Sequence, residues 1–371
     1  MRSKSLLDHL LNLAQSCFLL LAFALPLTVS AQWSPVYIPA DDFTAIEVIG
    51  QDTVIAATNW DGRIHRSSDG GQTWASVQTI FTTSWFLDMH FPTQTVGYAC
   101  GGTAFGQHSQ VIAKTLDAGV TWDSLTANAF GGYDFTKLHF INADTGFVSG
   151  GVSGIYKTTD GGANFVFDSI PNAAYSTEVY FESATNGFVA TNRSFGVNQE
   201  IVEILKTTDL GATWTIVYAD SLSGTNGINH RRINKLFFFD ATTGFAVGGN
   251  GLFLKTTDGG NSWNRSLISP YNNLTAVHFN SANVGFINNT GGIARTSDGG
   301  ATWTAQTLTT LSIISQLQFA NDTVGYAIGD YGIYKTNNAG GLVSLTAPFE
   351  EPIISLFPNP SAGKAVSYTH L

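Results

Sequence analysis

A chain of 371 residues with 43% hydrophobic and 12% charged residues is too apolar for a disordered protein, and it is long enough for one or two domains. Its formal net charge of −10 argues against nucleic acid as a partner. Of the two cysteines, Cys17 lies in an apolar N-terminal run, which leaves Cys100 without a partner for an intrachain disulfide.

The first 31 residues predict a secretory signal peptide. Arg2 and Lys4 precede an apolar run at residues 17–27, and the small residues "TVSA" stand before Gln32 as a cleavage site. The run is short for a membrane span, and no other stretch approaches the required length. We therefore expect a mature chain without a transmembrane segment, secreted to the extracellular space or the outer-membrane surface.

From residue 66 onward the chain repeats a short box, as in "KTTDGGNSW" at residues 255–263. Six copies carry an aspartate and a seventh, "KTNNAGG", has Asn338 in its place. Successive copies are 40 to 49 residues apart, which is the length of one blade of a β-propeller. The aspartates are Asp69, Asp117, Asp160, Asp209, Asp258 and Asp298.

Four short strands are predicted in each repeat. An alternating apolar strand such as "FTKLHF" comes first, so that Leu138 and Phe140, like Val277 and Phe279, should point inward. A second strand follows at "TGFVSGG", a third at "GIYKT", and a fourth begins at the Trp of the box. Nothing in the repeats is typical of a helix. The pattern predicts an all-β fold, a seven-bladed β-propeller of four-stranded antiparallel blades.

The box itself suits a turn between two antiparallel strands. Its glycines supply backbone angles that other residues avoid, and a short carboxylate accepts hydrogen bonds from backbone N–H groups of its own turn. We therefore interpret the six aspartates as fold-forming, with no catalytic or metal-binding role.

These boxes resemble the Asp-box, or BNR, motif of sialidases and related propellers. Preceded by "GF…G…GxIxKT", they look like the photosystem II stability and assembly factor family, and the likeness extends from Trp33 to about Pro348. The resemblance implies a seven-bladed binding and assembly scaffold without chemistry or a cofactor of its own. A photosynthetic partner does not follow from it.

The seventh repeat lacks its outer anchor, because Leu342 and Val343 stand where the other boxes have Thr-Trp. The segment "QWSPVYIP" at residues 32–39 offers Trp33 in a matching context. We therefore expect the N-terminal strand to complete the last blade and close the ring, in a propeller domain spanning residues 32–348. The seven anchors would then be Trp33, Trp74, Trp122, Phe165, Trp214, Trp263 and Trp303.

Function in such a scaffold is expected on the variable loops opposite the boxes. Insertions at residues 102–109, 192–200 and 221–232 fall on these connections. The partner predicted there is a protein or a glycan. The candidate binding residues are Trp60, Phe105, His108, Arg193, Phe195, His230, Arg231, Arg232 and Tyr331.

An enzymatic alternative is a secreted glycoside hydrolase. Sialidases need an arginine cluster and a Tyr nucleophile, whereas the mature arginines here are few and no Arg-Ile-Pro motif precedes the first box. Xyloglucanases use paired carboxylates between two propellers, and this chain has repeats for one. The best available pair, Asp61 and Asp330, stands beside glycines and reads more simply as turn formers.

Metal and covalent chemistry find no support in the sequence. His90, His139 and His278 all precede the last Phe of a first strand, so we interpret them as a feature of the blade and not as a converging cluster. P-loop, nucleophile-elbow and Cys-x-x-Cys motifs are missing from the sequence, and we predict no metal site and no catalytic residue.

After the propeller, residues 349–371 form a predicted linker and C-terminal segment. "LFPNPSAGK" at residues 356–364 resembles the opening of the type IX secretion sorting domain of Bacteroidota, which implies the type IX machinery as a second partner. That domain continues for several strands in the family, and "AVSYTHL" does not match the continuation, so we expect a truncated copy.

Overall fold

The computed structural model describes residues 32–39, 42–59, 62–77, 84–103, 110–125, 134–150, 153–170, 173, 175–194, 199–223, 232–268, 273–289, 291–309, 312–341, 357–358 and 366–367. Two units divide the chain: Ala31–Gly340, and Met1–Ser30 with Gly341–Leu371. The first unit contains seven four-stranded antiparallel sheets, the blades of a propeller, as predicted. The described residues contain no helix, and hence none that is long and apolar enough to cross a membrane.

The strands follow one another in chain order within each blade, except in the last. An N-terminal strand, β1 (Ser34–Tyr37), precedes the blades. Blades 1 to 3 are β2 (Phe43–Ile49), β3 (Thr53–Thr58), β4 (Ile64–Ser67) and β5 (Ala75–Val77); β6 (Ser84–His90), β7 (Gly97–Thr103), β8 (Gln110–Thr115) and β9 (Asp123–Ser124); and β10 (Phe135–Phe140), β11 (Gly146–Gly150), β12 (Gly154–Thr158) and β13 (Val166–Ser169). Blades 4 and 5 are β14 (Tyr175–Ser183), β15 (Asn186–Ser194), β16 (Gln199–Thr207) and β17 (Thr215–Ser223); and β18 (Ile233–Phe238), β19 (Gly244–Gly248), β20 (Leu252–Thr256) and β21 (Asn264–Leu267). Blades 6 and 7 are β22 (Val277–Phe279), β23 (Gly285–Asn289), β24 (Gly292–Thr296) and β25 (Thr304–Ala305); and β26 (Ile314–Phe319), β27 (Gly325–Gly329) and β28 (Gly332–Thr336).

The first strand of each blade is the innermost, because the seven first strands contact one another in a closed ring. Every second residue of such a strand enters the core between blades, and Leu138, Phe140, Val277 and Phe279 are buried as expected. The last Phe explains the glycine that opens the second strand. A Cβ built on Gly146 would lie 2.3 Å from the Phe140 ring, so only glycine fits there.

Stacked aromatic rings join one blade to the next. The residue after that glycine stacks on the last Phe of the following blade's first strand: Tyr98 on Phe140 with centroids 3.5 Å apart, and Phe245 on Phe279 at the same distance. Such large rings bury much apolar area, which makes the interfaces between blades the hydrophobic core of the molecule.

In the six boxes with an aspartate, its carboxylate accepts hydrogen bonds from its own turn, and Asp258 is an example. Its Oδ1 accepts hydrogen bonds from the Thr256 hydroxyl at 2.8 Å and from the Ser262 N–H at 3.0 Å, and its Oδ2 accepts from the Ser262 hydroxyl at 2.6 Å. These donors favour the ionised form and lower the pKa of Asp258 to about 2. The glycines Gly259 and Gly260 have φ of 70° and 74°, the left-handed region that their turn requires.

The basic residue that opens each box binds the box of the next blade. In every blade its side chain donates to a backbone carbonyl of that neighbouring turn, and the last bond, from Lys335 to the Gly70 oxygen, returns to blade 1 at 2.6 Å. The seven donors thus form a complete ring around one end of the propeller. They are Arg66, Lys114, Lys157, Lys206, Lys255, Arg295 and Lys335.

The N-terminal strand closes the ring, because β1 pairs with β28 as the outer strand of blade 7. Trp33 is 0% exposed and meets Phe319 and Phe286 edge to face at 5.8 and 6.1 Å. Trp303 meets Phe279 and Phe253 of its own and the preceding blade in the same way, so Trp33 occupies the anchor position that the seventh box lacks.

Because successive strands of a blade run antiparallel, the two ends of the propeller carry different connections. The turns between first and second strands and the boxes lie together at one end, since Gly161 N–H donates to the Asp144 carbonyl and Gly259 N–H to the Thr242 carbonyl. We call this end the box face. The first strands begin at the opposite end, the loop face, together with the turns between second and third strands.

The second unit contributes one short described element. β29 (Phe357–Pro358) pairs antiparallel with β30 (Val366–Ser367). The predicted leader, and all of the C-terminal motif except Phe357 and Pro358, lie outside the described residues.

Candidate binding site

The first strands present two residues in succession to the central channel. In β10 the register shifts between Phe135 and Lys137, a β-bulge that leaves Thr136 and Lys137 half-buried while Phe135 and Leu138 are buried. The same shift occurs in β2, β6, β14, β18 and β26. In blade 6 the strand β22 begins after this point, and Thr275 and Ala276 align with the shifted positions by sequence. Each blade supplies at these aligned positions a mouth residue, a middle residue and, after one buried position, an inner residue.

The mouth residues surround a cavity of about 480 Å³ at the loop face, which we call the funnel. All seven blades contribute to it at the same strand position. The mouth residues are Thr44, Leu87, Thr136, Thr177, Asn234, Thr275 and Ser315, and the lining also includes Lys137, Tyr175, Arg232 and Gln316. A cavity built by equivalent positions of all the repeats is the place where a propeller can hold one ligand against every blade.

Four consecutive blades carry alternating charges in the middle position below the mouth. Lys137 Nζ lies 3.8 Å from Asp88 Oδ1, and Lys235 Nζ lies 3.7 Å from Glu178 Oε1. Burial, only partly offset by these lysines, raises the pKa of Glu178. Although burial opposes its charged form, the carboxylates of Glu178 and Asp88 raise the pKa of Lys235.

The inner residues form an aromatic and histidine layer. The expectation that the histidines do not converge was wrong for His90 and His139, whose rings stack 4.4 Å apart because neighbouring first strands bring equivalent positions together. Burial lowers the pKa of His90 and His278 to about 4 and that of His139 as well, so these rings are neutral near pH 7. No three potential metal-binding side chains cluster in the part of the chain that the structure describes.

Glu47 belongs to the same inner layer. Burial, with the nearby Asp88 charge adding to it, raises the pKa of Glu47 to about 8, so this carboxyl is largely protonated near pH 7. The Gln318 amide donates a hydrogen bond to the Glu47 carboxyl, and the Gln318 Oε1 accepts one from the Val48 N–H at 2.8 Å. Neither Glu47 nor the charged middle residues appear among the sequence candidates, although the middle residues all stand three positions before the last Phe of their repeats, an offset that could have revealed them.

The comparisons with known proteins agree with this architecture. Residues 169–341 match the family described as "Photosynthesis system II assembly factor YCF48". These repeats are YCF48-like. No curated protein matches the sequence significantly.

Solved structures extend the likeness to the whole propeller. "YCF48 bound to D1 peptide" has a TM-score of 0.62 at 15% identity, covering 83% of this chain and 97% of that one. YCF48 from Cyanidioschyzon merolae has a TM-score of 0.62 at 17% identity, covering 83% and 99%. The GH74 xyloglucanase from Xanthomonas campestris has a TM-score of 0.60 at 15% identity, covering 84% of this chain and 54% of the enzyme. At these identities the likeness establishes the fold alone.

Of the predicted binding residues, three are described. Arg232 lies at the funnel with its guanidinium 4.9 Å from the Tyr175 ring centroid, and Tyr331 is 58% exposed on the turn between β27 and β28. Arg193 is not a free loop residue: it lies in β15, because the insertion at residues 192–200 extends β15 and β16 into a longer hairpin, and it pairs with Glu203 at 2.6 Å. Six candidates lie outside the described residues: Trp60, Phe105, His108, Phe195, His230 and Arg231.

The carboxylate pair of the hydrolase alternative is described only in part. Asp330 is exposed on the turn after β27, and its N–H donates to the Ile313 carbonyl at 3.3 Å. Asp61 lies outside the described residues, so their separation is not defined.

Proposed function

We propose that this protein is a secreted, non-enzymatic scaffold that holds a protein ligand in the funnel. The observation that carries the proposal is the cavity itself, which takes the mouth residue of every blade and opens on the face away from the boxes. Its volume accommodates one or two side chains, which suits a loop or a tail of a partner better than the surface of a folded domain.

The likeness to YCF48 supports a peptide as the ligand. That propeller was solved with a D1 peptide bound, and it shares the seven-bladed fold with this chain. A photosynthetic partner does not follow, because the similarity at this identity concerns the fold.

The charged groups below the funnel mouth favour binding over hydrolysis. A glycosidase needs two carboxyl groups, one of them a free acid or base, on either side of the scissile bond. Here Asp88 and Glu178 are each engaged with a lysine, and their side chains are 5% and 3% exposed. These two carboxylates are therefore screened from a substrate.

Export is part of the same proposal. The predicted leader at residues 1–31 and the "LFPNPSAGK" segment support passage through the type IX machinery to the cell surface or the medium. Cell fractionation of the full chain and of a chain ending at residue 348 tests this: the full chain should reach the surface or medium, and equal export of the two would contradict a role for the motif.

Peptide binding is tested by panning a displayed peptide library, and in parallel a glycan array, on the mature chain. Thr275→Trp should fill the funnel and abolish the binding of the recovered peptides, since Thr275 is a mouth residue of blade 6. Ala301→Trp is the matched control, because Ala301 is exposed on the box turn of the same blade. Sugar binding without peptide binding would replace the protein ligand with a glycan, and turnover of a polysaccharide would refute the scaffold.

A further inference from the structure

Most cations of the propeller are already engaged in holding it together. Seven donate to the backbone of a neighbouring box, and two more form ion pairs, Arg193 with Glu203 and Arg265 with Asp220. Lys137, Lys235 and Arg232 differ from these in their position, because all three come from the loop-face half of a first strand or from the residue before it.

In both ion pairs below the mouth, the lysine side chain is more exposed than the carboxylate. The side chains of Lys137 and Lys235 are 18% and 33% exposed, whereas those of Asp88 and Glu178 are 5% and 3% exposed. The carboxylates thus lie against the wall, and Leu138 N–H donates to Asp88 Oδ2 at 3.1 Å. A ligand entering the channel meets the ammonium groups and not their counter-ions.

Arg232 adds a third cation at the mouth. Its guanidinium lies over the Tyr175 ring, a contact that orients the side chain but uses none of its N–H groups, and it makes no hydrogen bond with another described residue. Two of its N–H donors can bind a carboxylate in the forked geometry that arginine favours.

The pairing of charges around the funnel also favours an anionic ligand. Asp88 and Glu178 pair with the two lysines, whereas Arg232 has no paired carboxylate among the described residues.

We infer that the funnel recognises an acidic segment of the partner, with an Asp or Glu carboxylate of that segment bound between Lys137, Lys235 and Arg232. The inference rests on the proposed function and adds the chemistry of the ligand to it. The hydroxyls of Thr136 and Thr275 line the same cavity and are suited to donate to the carboxylate or to the peptide around it.

The test uses three short fluorescein-labelled peptides that differ only in carrying Glu, Gln or Lys at the same positions. Fluorescence anisotropy with the mature chain should show tightest binding of the Glu peptide, weakening as salt is raised. Arg232→Gln and the paired change Lys137→Gln with Asp88→Asn should each weaken the Glu peptide by about tenfold and leave the Gln peptide unchanged. The paired change keeps the net charge, and Asp88→Asn keeps the shape of that side chain.

The matched control is the double variant Arg265→Gln with Asp220→Asn. These two residues form an ion pair of 3.1 Å between strands β21 and β17, so the variant removes one positive and one negative charge away from the funnel. This variant should bind the Glu peptide like the unchanged protein. Arg232 is exposed, so its variant carries the test even if the paired change impairs folding.

The outcomes separate the inference from the proposed function. Equal binding of Glu and Gln peptides, both blocked by Thr275→Trp, would overturn the acidic specificity and keep the funnel as a peptide site. Undiminished binding of the Glu peptide to both charge variants would also overturn it. If the funnel binds no peptide of any charge, the proposed function and the inference fall together.

Discussion

Replacing Trp33 with alanine should open the propeller at its closing strand. Trp33 is fully buried, and a buried Trp removes about 150–250 Å² from water, which at about 25 cal/mol per Å² is worth roughly 4–6 kcal/mol. Large-to-small core changes of this kind cost about 3–5 kcal/mol. We expect Trp33→Ala to lower the free energy of unfolding by about 4 kcal/mol, measured by urea denaturation followed by circular dichroism.

The decisive readout is local, because Trp33 precedes β1, the strand that pairs with the outer edge of β28 in the described part of the chain. Hydrogen exchange in β28 should accelerate in Trp33→Ala as β1 detaches and the edge becomes exposed. Trp303→Ala is the matched control, since it removes the equivalent edge-to-face ring contacts between blades 5 and 6, and the fourth strand of blade 6 follows its box directly along the chain. It should destabilise the protein without faster exchange in β28. If the two variants lose equal stability and β28 stays protected in both, the closure argument is wrong.

Two further predictions concern pH. The pKa of Glu47 is raised to about 8, so the folded protein binds this proton more tightly than the unfolded chain does. The free energy of unfolding therefore falls as pH rises from about 4.5 toward 8, because the unfolded chain releases the proton and the folded protein retains it. Glu47→Gln should therefore raise stability in urea denaturation at about pH 8 more than at about pH 5, with a limiting slope of about 1.4 kcal/mol per pH unit; an equal effect at both values would contradict the buried neutral carboxyl. The box aspartates have a lowered pKa, about 2 for Asp258, so their contribution is present above about pH 4 and is lost as pH falls toward 2. Asp258→Asn should be less stable than the unchanged protein at neutral pH and should converge with it on acidification, and a constant difference across this range would argue against the ionised turn.

The sequence determined the fold because each repeat contains its own local signals. The period, the alternation in the first strand and the box all reflect interactions within one blade, such as the Asp258 turn or the contact between Phe140 and Gly146. Even the closure by Trp33 could be deduced, because a missing Thr-Trp pair at one end of the repeats matched a surplus Trp at the other.

The tertiary structure decided the site, because the channel is built from residues that are about 40 or more positions apart in sequence. In a single repeat Lys137 is an ordinary strand lysine and His139 a residue before a Phe. Only the ring of first strands brings Asp88 beside Lys137, stacks His90 on His139 and places Glu47 where its pKa is raised. Arg193 shows the converse, since a loop predicted from length alone became a hairpin whose strands pair it with Glu203. Local patterns fix the turns and the faces of a blade, whereas charge pairing and desolvation depend on which blades meet across the channel.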